Sequence, residues 1–335
     1  AASVQTQPDH EVASTPRPLR PLATPRSTCH LDLLVVEGAM SMSLRGDHKF
    51  VYKNLLGKGT FGEVYLAESD RTGQQVAIKK EIPFNDMSKR PMGRSLHREF
   101  KFLRFLGGGI GIPKVFSFQR GDPSDIMVYE HLGLDVSQLL QKCGGRFSFK
   151  TIYMLADQML ARLEFLHTNG IVHRDIKPQN FTMGFGKQSR LVYLIDYGLC
   201  TFQSDLKTKG NGRAEMVGTA RFASINAHKT RNQRYSDDLE SLCYVLVFLA
   251  HGKLPWQGMG ERKPPFLKIR KCKERTPLVE LCQGFPEEFQ QMIRDCRENR
   301  TPLPYRKQRK IFRDALHKMR EVLDWHFDWL DNKKE

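Results

Sequence analysis

The segment IVHRDIKPQN, residues 171–180, gathers an aspartate, a lysine and an asparagine, Asp175, Lys177 and Asn180, within six positions. Each side chain brings its own chemistry. Asp175 can accept a hydroxyl proton, Lys177 can balance charge on a group in transfer, and Asn180 offers an oxygen to a hard cation. Pro178 keeps the loop from becoming helix, so Asp175 and Asn180, five residues apart, can turn to one point. Sixteen residues after Asn180 a strand-like run, LIDYG, ends on Asp196, a second oxygen ligand. The pair Asn180 and Asp196 suits a Mg2+ ion whose remaining ligands come from phosphate oxygens.

Two upstream features fit a phosphate-bearing ligand. The run LGKGTFGEV comprises Leu56, Gly57, Lys58, Gly59, Thr60, Phe61, Gly62, Glu63 and Val64, a G-x-G-x-x-G pattern between two strand-like stretches. Glycines let backbone N–H groups approach phosphate without a Cβ in the way. By itself the pattern is also that of a glycine hairpin, and since no helix follows directly it lacks the context of a dinucleotide-binding unit. Lys79 stands in VAIK fifteen residues after Val64. A strand lysine usually faces solvent, but Glu99, 20 residues further on in a helical run, offers a carboxylate that would hold Lys79 on phosphate oxygens.

The elements that must position these groups can be read from hydrophobic periodicity. From Phe50, alternating β-branched and aromatic residues predict two strands around the glycine turn and a third after residues 70–73, an antiparallel sheet. SLHREFKFLRFL places Leu96, Phe100 and Leu103 on one helical face and stops at the glycines 107–109. Strands are expected near residues 114–118 and 126–130. Beyond Gly133 the pattern turns helical: Ser148 caps a helix with Ile152, Leu155, Met159, Leu163 and Leu166 on one face, ended by Gly170. Short strands fit residues 171–173 and 191–195, and DDLESLCYVLVFLA reads as a helix apolar on most sides, hence buried. The fold class is therefore α+β, a small sheet lobe followed by a larger helical lobe.

Composition bounds the partners. The chain has 335 residues, 40% of them hydrophobic, enough for one large domain or two that share an interface. Its longest apolar run, residues 244–250, is far short of the about 20 residues that cross a bilayer. Seven cysteines without a C-x-x-C pair read as reduced, mostly buried thiols. The net charge of +16 attracts anions, and the cations concentrate in residues 261–275 and 305–320. Either run can be a solvated helix face; TPLPYRKQRK also has the composition of a nuclear-localisation or nucleic-acid patch. With no aromatic-studded basic motif, nucleic acid is not expected as the main ligand. Residues 1–46, rich in Pro, Ser, Thr and Arg, are expected to be a disordered extension. They begin without Met, so Met40 and Met42 are candidate starts, and LDLLVVEGAM is too short to read as a signal peptide.

In order and context, GKGTFGEV, VAIK, Glu99, HRDIKPQN and DYG resemble the signature motifs of protein kinases, over residues 50–330. The resemblance implies a two-lobed kinase domain at 47–331, divided near residue 130, with a short charged tail at 332–335. ATP would lie in the cleft, with its adenine edge at the backbone from Glu130 to Leu132 and Ala77 and Lys79 lining the site. Lys177 resembles the serine/threonine rather than the tyrosine kinases. Two departures appear: the metal-binding triplet is Asp196-Tyr197-Gly198, and Ser224-Ile225-Asn226 stands where A-P-E is expected. The second departure, with GTARFASINAH, RYSDDLESLCYVLVFLAHGKLPWQG, GGGIGIPKVF, LADQML and HFDWL, is similar to the casein kinase 1 family.

That resemblance implies a cytoplasmic and nuclear monomer, active without phosphorylation of its activation loop. It favours serine or threonine a few residues after a phosphoserine or an acidic cluster. Arg221, with Lys263, Lys268 or Arg270, would then hold the substrate anion; the alternative is that Arg221 ties its segment to the helical lobe. Asp238 and His173 would brace the HRD loop, and LPWQG would be packing. A catalytically weak scaffold on the same fold is the alternative function.

Overall fold

Alternation of side chains along extended segments sets the first half of the fold. The computed structural model describes residues 33–36, 39–44, 48–59, 62–82, 95–121, 124–208, 216–259, 265–298 and 304–331. Strands β1 (Leu33–Val36), β2 (Ala39–Leu44), β3 (His48–Lys58), β4 (Gly62–Ser69) and β5 (Gln75–Glu81) precede helix α1 (Ser95–Leu106); β6 (Val115–Gln119) and β7 (Ile126–Glu130) follow it. They form one antiparallel sheet of order β1-β2-β3-β4-β5-β7-β6. Thus part of the extension expected to be disordered over residues 1–46 forms a hairpin, β1 and β2, that pairs with β3; LLVV has strand propensity, and AMSMSL is extended through its pairing on both sides. Residues 1–32 lie outside the described residues.

The two faces of this sheet do different things. Phe50, Ala67, Val76, Ile78, Ile126 and Val128 form a small core on one face. The intervening residues of β5 and β7 point the other way. Ala77 pairs with Tyr129 and Lys79 with Met127 across the ladder, and Met127 belongs to the main core that α1 joins through Leu96, Phe102, Leu103 and Leu106. A single-residue alternation thereby turns Lys79 toward α1. Also buried on α1, among these apolar residues, is Glu99.

The helical half starts at α2 (Val136–Lys142), capped by Asp135 in a reciprocal box with Gln138. Helix α3 (Phe149–Thr168) follows, with Ser148 accepting from Thr151 N as its cap. The chain then forms β8 (Ile171–Val172), β9 (Phe181–Met183), β10 (Val192–Leu194), β11 (Thr201–Phe202) and α4 (Gln203–Thr208), in which β9 pairs β10 and β8 pairs β11. Helices α5 (Ile225–His228), α6 (Tyr235–His251), α7 (Pro265–Arg275), α8 (Leu278–Leu281), α9 (Glu287–Arg297), α10 (Tyr305–Lys318) and α11 (Asp328–Asp331) complete the fold. As its pattern predicts, α6 is buried on all sides. All six described cysteines are free thiols, and no described helix is long and apolar enough to cross a membrane.

The basic run on α10 is not a purely solvated face. Arg309 and Arg313 both donate forked pairs to Asp157 of α3, a carboxylate only 2% exposed. Burial pushes the Asp157 carboxyl up, but the two guanidiniums outweigh it and hold the group below its ordinary range.

The loop from α1 to β6 joins the halves through GGGIGI. Gly111 has φ +72°, and a Cβ there would run into the Arg162 guanidinium and the Val192 carbonyl. Its own carbonyl accepts from Leu194 N at 2.9 Å, and Arg162 Nη1 donates to the neighbouring Ile110 carbonyl. By contrast, Gly107 at φ +63° has nothing within 4 Å of its added Cβ. Gly111→Ala is therefore expected to cost roughly 2–4 kcal/mol, a Tm drop of about 3–7 °C by calorimetry for a domain of this size, against about 1 kcal/mol for Gly107→Ala.

Candidate active site

Lys79, brought to the inner face by β5, meets Glu99 of α1 with Nζ 2.6 Å from Oε2 and Asp196 Oδ1 at 3.6 Å. Burial works against the Lys79 charge, but Glu99 and then Asp196 outweigh it and hold the ammonium above the ordinary lysine range. The Asp196 carboxyl is likewise pushed up by burial and pulled below its ordinary range by Lys79 and Lys177. Lys79 and Asp196 therefore stabilise each other's charge, whereas burial, together with Asp196, raises the Glu99 carboxyl above its ordinary range against the pull of Lys79. Asp196 has φ +65°, a left-handed backbone that aspartate tolerates better than most residues. Next to it Tyr197 is wholly buried, its hydroxyl donating to Leu194 O at 3.0 Å, so a tyrosine fits the triplet because the added hydroxyl finds an acceptor.

The loop after β8 brings the other groups together. Lys177 Nζ lies 2.6 Å from Asp175 Oδ2, and Asn180 Nδ2 donates to Asp175 O at 2.7 Å. Pro178 does not exclude helical structure, as the sequence implied, but begins a single 3-10 turn (Pro178–Asn180) that returns Asn180 to Asp175. Because the Asn180 amide nitrogen is engaged on Asp175, its oxygen is the group left for a cation. Among the described residues no three or more His, Cys, Asp or Glu side chains gather as a metal site. Asn180 and Asp196 thus fit a hard cation only if phosphate oxygens complete its shell.

Asp238 of α6 holds this loop. Its Oδ2 accepts from His173 N at 2.7 Å and faces His167 Nε2 at 3.0 Å, while Oδ1 accepts from Arg174 N at 2.9 Å. Arg174 sits at φ +71° and donates Nε–H to Leu199 O at 2.7 Å. His173 Nδ1 accepts from Asp175 N and Nε2 faces Ile195 O, each at 3.3 Å, a pattern that requires the neutral Nε2–H tautomer. Burial lowers the His173 pKa in the same sense.

Asp175 is tied to a second segment, residues 216–228. Thr219 donates its N–H and hydroxyl to Asp175 Oδ1, at 2.9 and 2.7 Å. Two residues later Arg221 is exposed, its Cζ 5.9 Å from the ring centroids of both Phe222 and Phe248 and without a carboxylate partner among the described residues. Ser224-Ile225-Asn226 is anchored on α6. Ser224 Oγ and Asn226 Nδ2 donate to Asp237 at 2.5 and 3.0 Å, and Ile225 N donates to Glu240, which also faces Arg297 at 3.6 Å.

Several expected site residues are placed less directly. Leu56 to Gly59 are exposed in the β3–β4 hairpin, where Gly59 N donates to Gly62 O at 2.9 Å and Lys58 pairs Glu63 at 2.8 Å. Val64 pairs Lys79 across the ladder and Ala77 is buried. The Glu130 side chain is used by Tyr193 and Lys114, and Leu132 is half-buried in the connection that follows. Lys268 is exposed on α7, whereas Arg270 lies 3.9 Å from Glu274. Thr60, Phe61 and Lys263 lie outside the described residues. Sequence reasoning missed Thr219, Asp237, Glu240 and Arg297. A signal was present for two of them: carboxylates within an otherwise apolar helix must have buried partners.

A family model described as the protein kinase domain matches residues 50–306. The chain belongs to the protein kinase family. It is therefore a phosphotransferase that uses ATP and acts on protein, and the sheet lobe, helical lobe and intervening charge cluster are the parts of a kinase domain.

Two outcomes follow for this kinase. Asp238→Asn turns an amide nitrogen toward N–H donors; we expect a loss of about 2–3 kcal/mol in thermal or urea melts and a kcat reduced by roughly tenfold or more. The second concerns His228, whose Nε2 lies 3.2 Å from both Ala220 O and Lys273 Nζ. Burial, then Lys273, holds its imidazole down to about 3. The unfolded chain takes up a proton below about pH 6.5 that the native chain refuses. Stability from this group therefore falls as pH falls from about 6.5 toward 3, by up to about 1.4 kcal/mol per pH unit. His228→Asn should flatten the pH dependence of stability between about pH 7 and 5 by close to one proton, measured by urea melts at each pH.

Proposed function

We propose that this chain is a serine/threonine kinase of casein kinase 1 type, which phosphorylates residues that follow a phosphoserine or an acidic cluster. The observation that carries the reading is the exposed guanidinium of Arg221, without a carboxylate partner among the described residues and two residues from the Thr219 that bonds Asp175. A substrate anion bound there lies on the same short turn that holds the proton acceptor. A forked guanidinium suits phosphate by charge and geometry.

In this reading Lys79, kept charged by Glu99, would orient the ATP phosphates, and Asn180 and Asp196 would hold Mg2+. The ion would supply neutralisation of the phosphate charge. Asp175 accepts the proton of the incoming hydroxyl and aligns its oxygen, and Lys177, 2.6 Å away, balances charge on the transferring group. The glycines of the β3–β4 hairpin let the backbone approach the phosphates. Arg174 already donates to the Leu199 carbonyl, which supports activity without a phosphate on the activation segment. A second reading rests on Phe248 of α6, whose ring lies beneath Arg221: the residue then ties its segment to the helical lobe.

One experiment separates these. Acidic, phosphoserine-bearing and basic peptides are phosphorylated by wild type, Asp175→Asn and Arg221→Ala. Asp175→Asn should lose about 100-fold or more in kcat on all peptides. Arg221→Ala should raise KM about tenfold for phosphoserine peptides, the worth of a charged hydrogen bond, and leave basic peptides unchanged. Preference of wild type for basic peptides would sink the reading. Equal loss by Arg221→Ala on every peptide would assign it the structural role, and full activity of Asp175→Asn would exclude the catalytic assignment.

A further inference from the structure

Among the described cations of α7, Lys273 hydrogen-bonds the carbonyls on either side of Arg221, and it does so from beneath. It has no exposed surface. Its Nζ donates to the carbonyls of Ala220 at 2.9 Å and Ala223 at 2.6 Å, and lies 4.9 and 5.1 Å from the ring centroids of Tyr244 and Trp256. Burial pulls its pKa down to about 7, while Glu240 acts in the opposite sense. A buried ammonium persists only with partners, and here two carbonyls, two ring faces and His228 Nε2 at 3.2 Å surround it.

The same cage holds the residue between the two carbonyls. Trp256 donates Nε1–H to Arg221 O at 2.7 Å, so the carbonyls of Ala220, Arg221 and Ala223 are all drawn inward by Lys273 and Trp256. From the other side, Thr219 O accepts from both Phe222 N and Ala223 N at 2.9 Å, closing a tight turn. One end of that turn, Thr219, is bonded to Asp175. The other presents Arg221 to solvent. A long guanidinium side chain is located no better than the peptide planes that carry it, and a buried carbonyl that loses its donor must turn to find another.

We propose that Lys273 is a positioning residue that sets the spacing between the substrate's anionic group and its acceptor hydroxyl, by clamping the turn that joins Arg221 to Asp175. The inference rests on the reading of Arg221 as the anion-binding residue. Lys273 touches neither substrate nor ATP. Its effect is on which spacing is accepted, and only secondarily on rate.

The test is a set of peptides with one phosphoserine placed two, three, four or five residues before the acceptor serine, with kcat/KM measured for each. Lys273→Met keeps the stem and removes the charge; Trp256→Phe keeps a ring face and removes the N–H. Wild type should favour one spacing. Both variants should reduce that preference at least threefold, with KM for ATP unchanged. A uniform fall across all spacings, an unchanged profile, or no spacing preference in wild type would overturn the proposal. Where Lys273→Met fails to melt cooperatively, Trp256→Phe decides by the same criteria. Arg221→Ala on phosphorylated and unphosphorylated versions of one peptide tests the underlying reading separately. If it keeps the preference for phosphate, Arg221 is not the anion site, and the spacing profile still passes or fails Lys273 as a clamp on the turn.

Discussion

A carboxylate removed from water must be given donors, and α6 buries three of them within four residues: Asp237, Asp238 and Glu240, none more than 4% exposed. Their partners come both from loops and from the neighbouring helices α3, α5 and α9. Asp237 takes the hydroxyl of Ser224, the amide of Asn226 and the backbone N–H of Arg234. Asp238 takes two consecutive backbone N–H groups of the loop after β8, and Glu240 takes Ile225 N–H beside Arg297. Satisfying α6 therefore fixes both the loop that carries Asp175 and the segment that carries Arg221. The two acids differ in their surroundings. Burial dominates at Asp237, whose pKa rises to about 6, whereas at Asp238 His167 and the backbone N–H groups outweigh it.

The same constraint accounts for the unusual backbone at the site. Arg174 and Asp196 are both at positive φ, a conformation that costs roughly 1–2 kcal/mol for residues other than glycine. Each is held by contacts that a relaxed backbone would break: Arg174 by Asp238 and Leu199, Asp196 by its charge pairing with Lys79. Strain at these positions is offset by a buried polar network behind them, which holds the carboxylates of Asp175 and Asp196 in place. Sheet alternation completes the arrangement, since Lys79 reaches Asp196 and Glu99 only because its neighbours Ile78 and Lys80 point to the other face.

Net charge, so prominent in composition, is divided by the fold into three uses. Arg309 and Arg313 neutralise a buried aspartate between α3 and α10, Lys273 is enclosed beneath the Arg221 turn, and Arg221 itself stays in solvent. Surface cations such as Lys268 retain the field that attracts anions. Equal residues in one basic run thus have unequal roles.

Much of this was legible in the chain itself. Strand alternation, the faces of α1 and α3, the capping by Ser148 and the all-round burial of α6 depend on local periodicity, and the five kinase motifs depend on residue type and order. Residue type and spacing also name groups that must meet: Lys79 with Glu99, and Asp175 with Asn180. Only the tertiary structure decided which partner each buried ion would take. Ser224, Asn226 and Asp237 are eleven to thirteen residues apart, and Lys273 is 50 residues and more from the carbonyls it holds. No periodicity connects such positions; the connection is made by the demand that every buried polar atom be paired, and that demand is settled only once the core has packed.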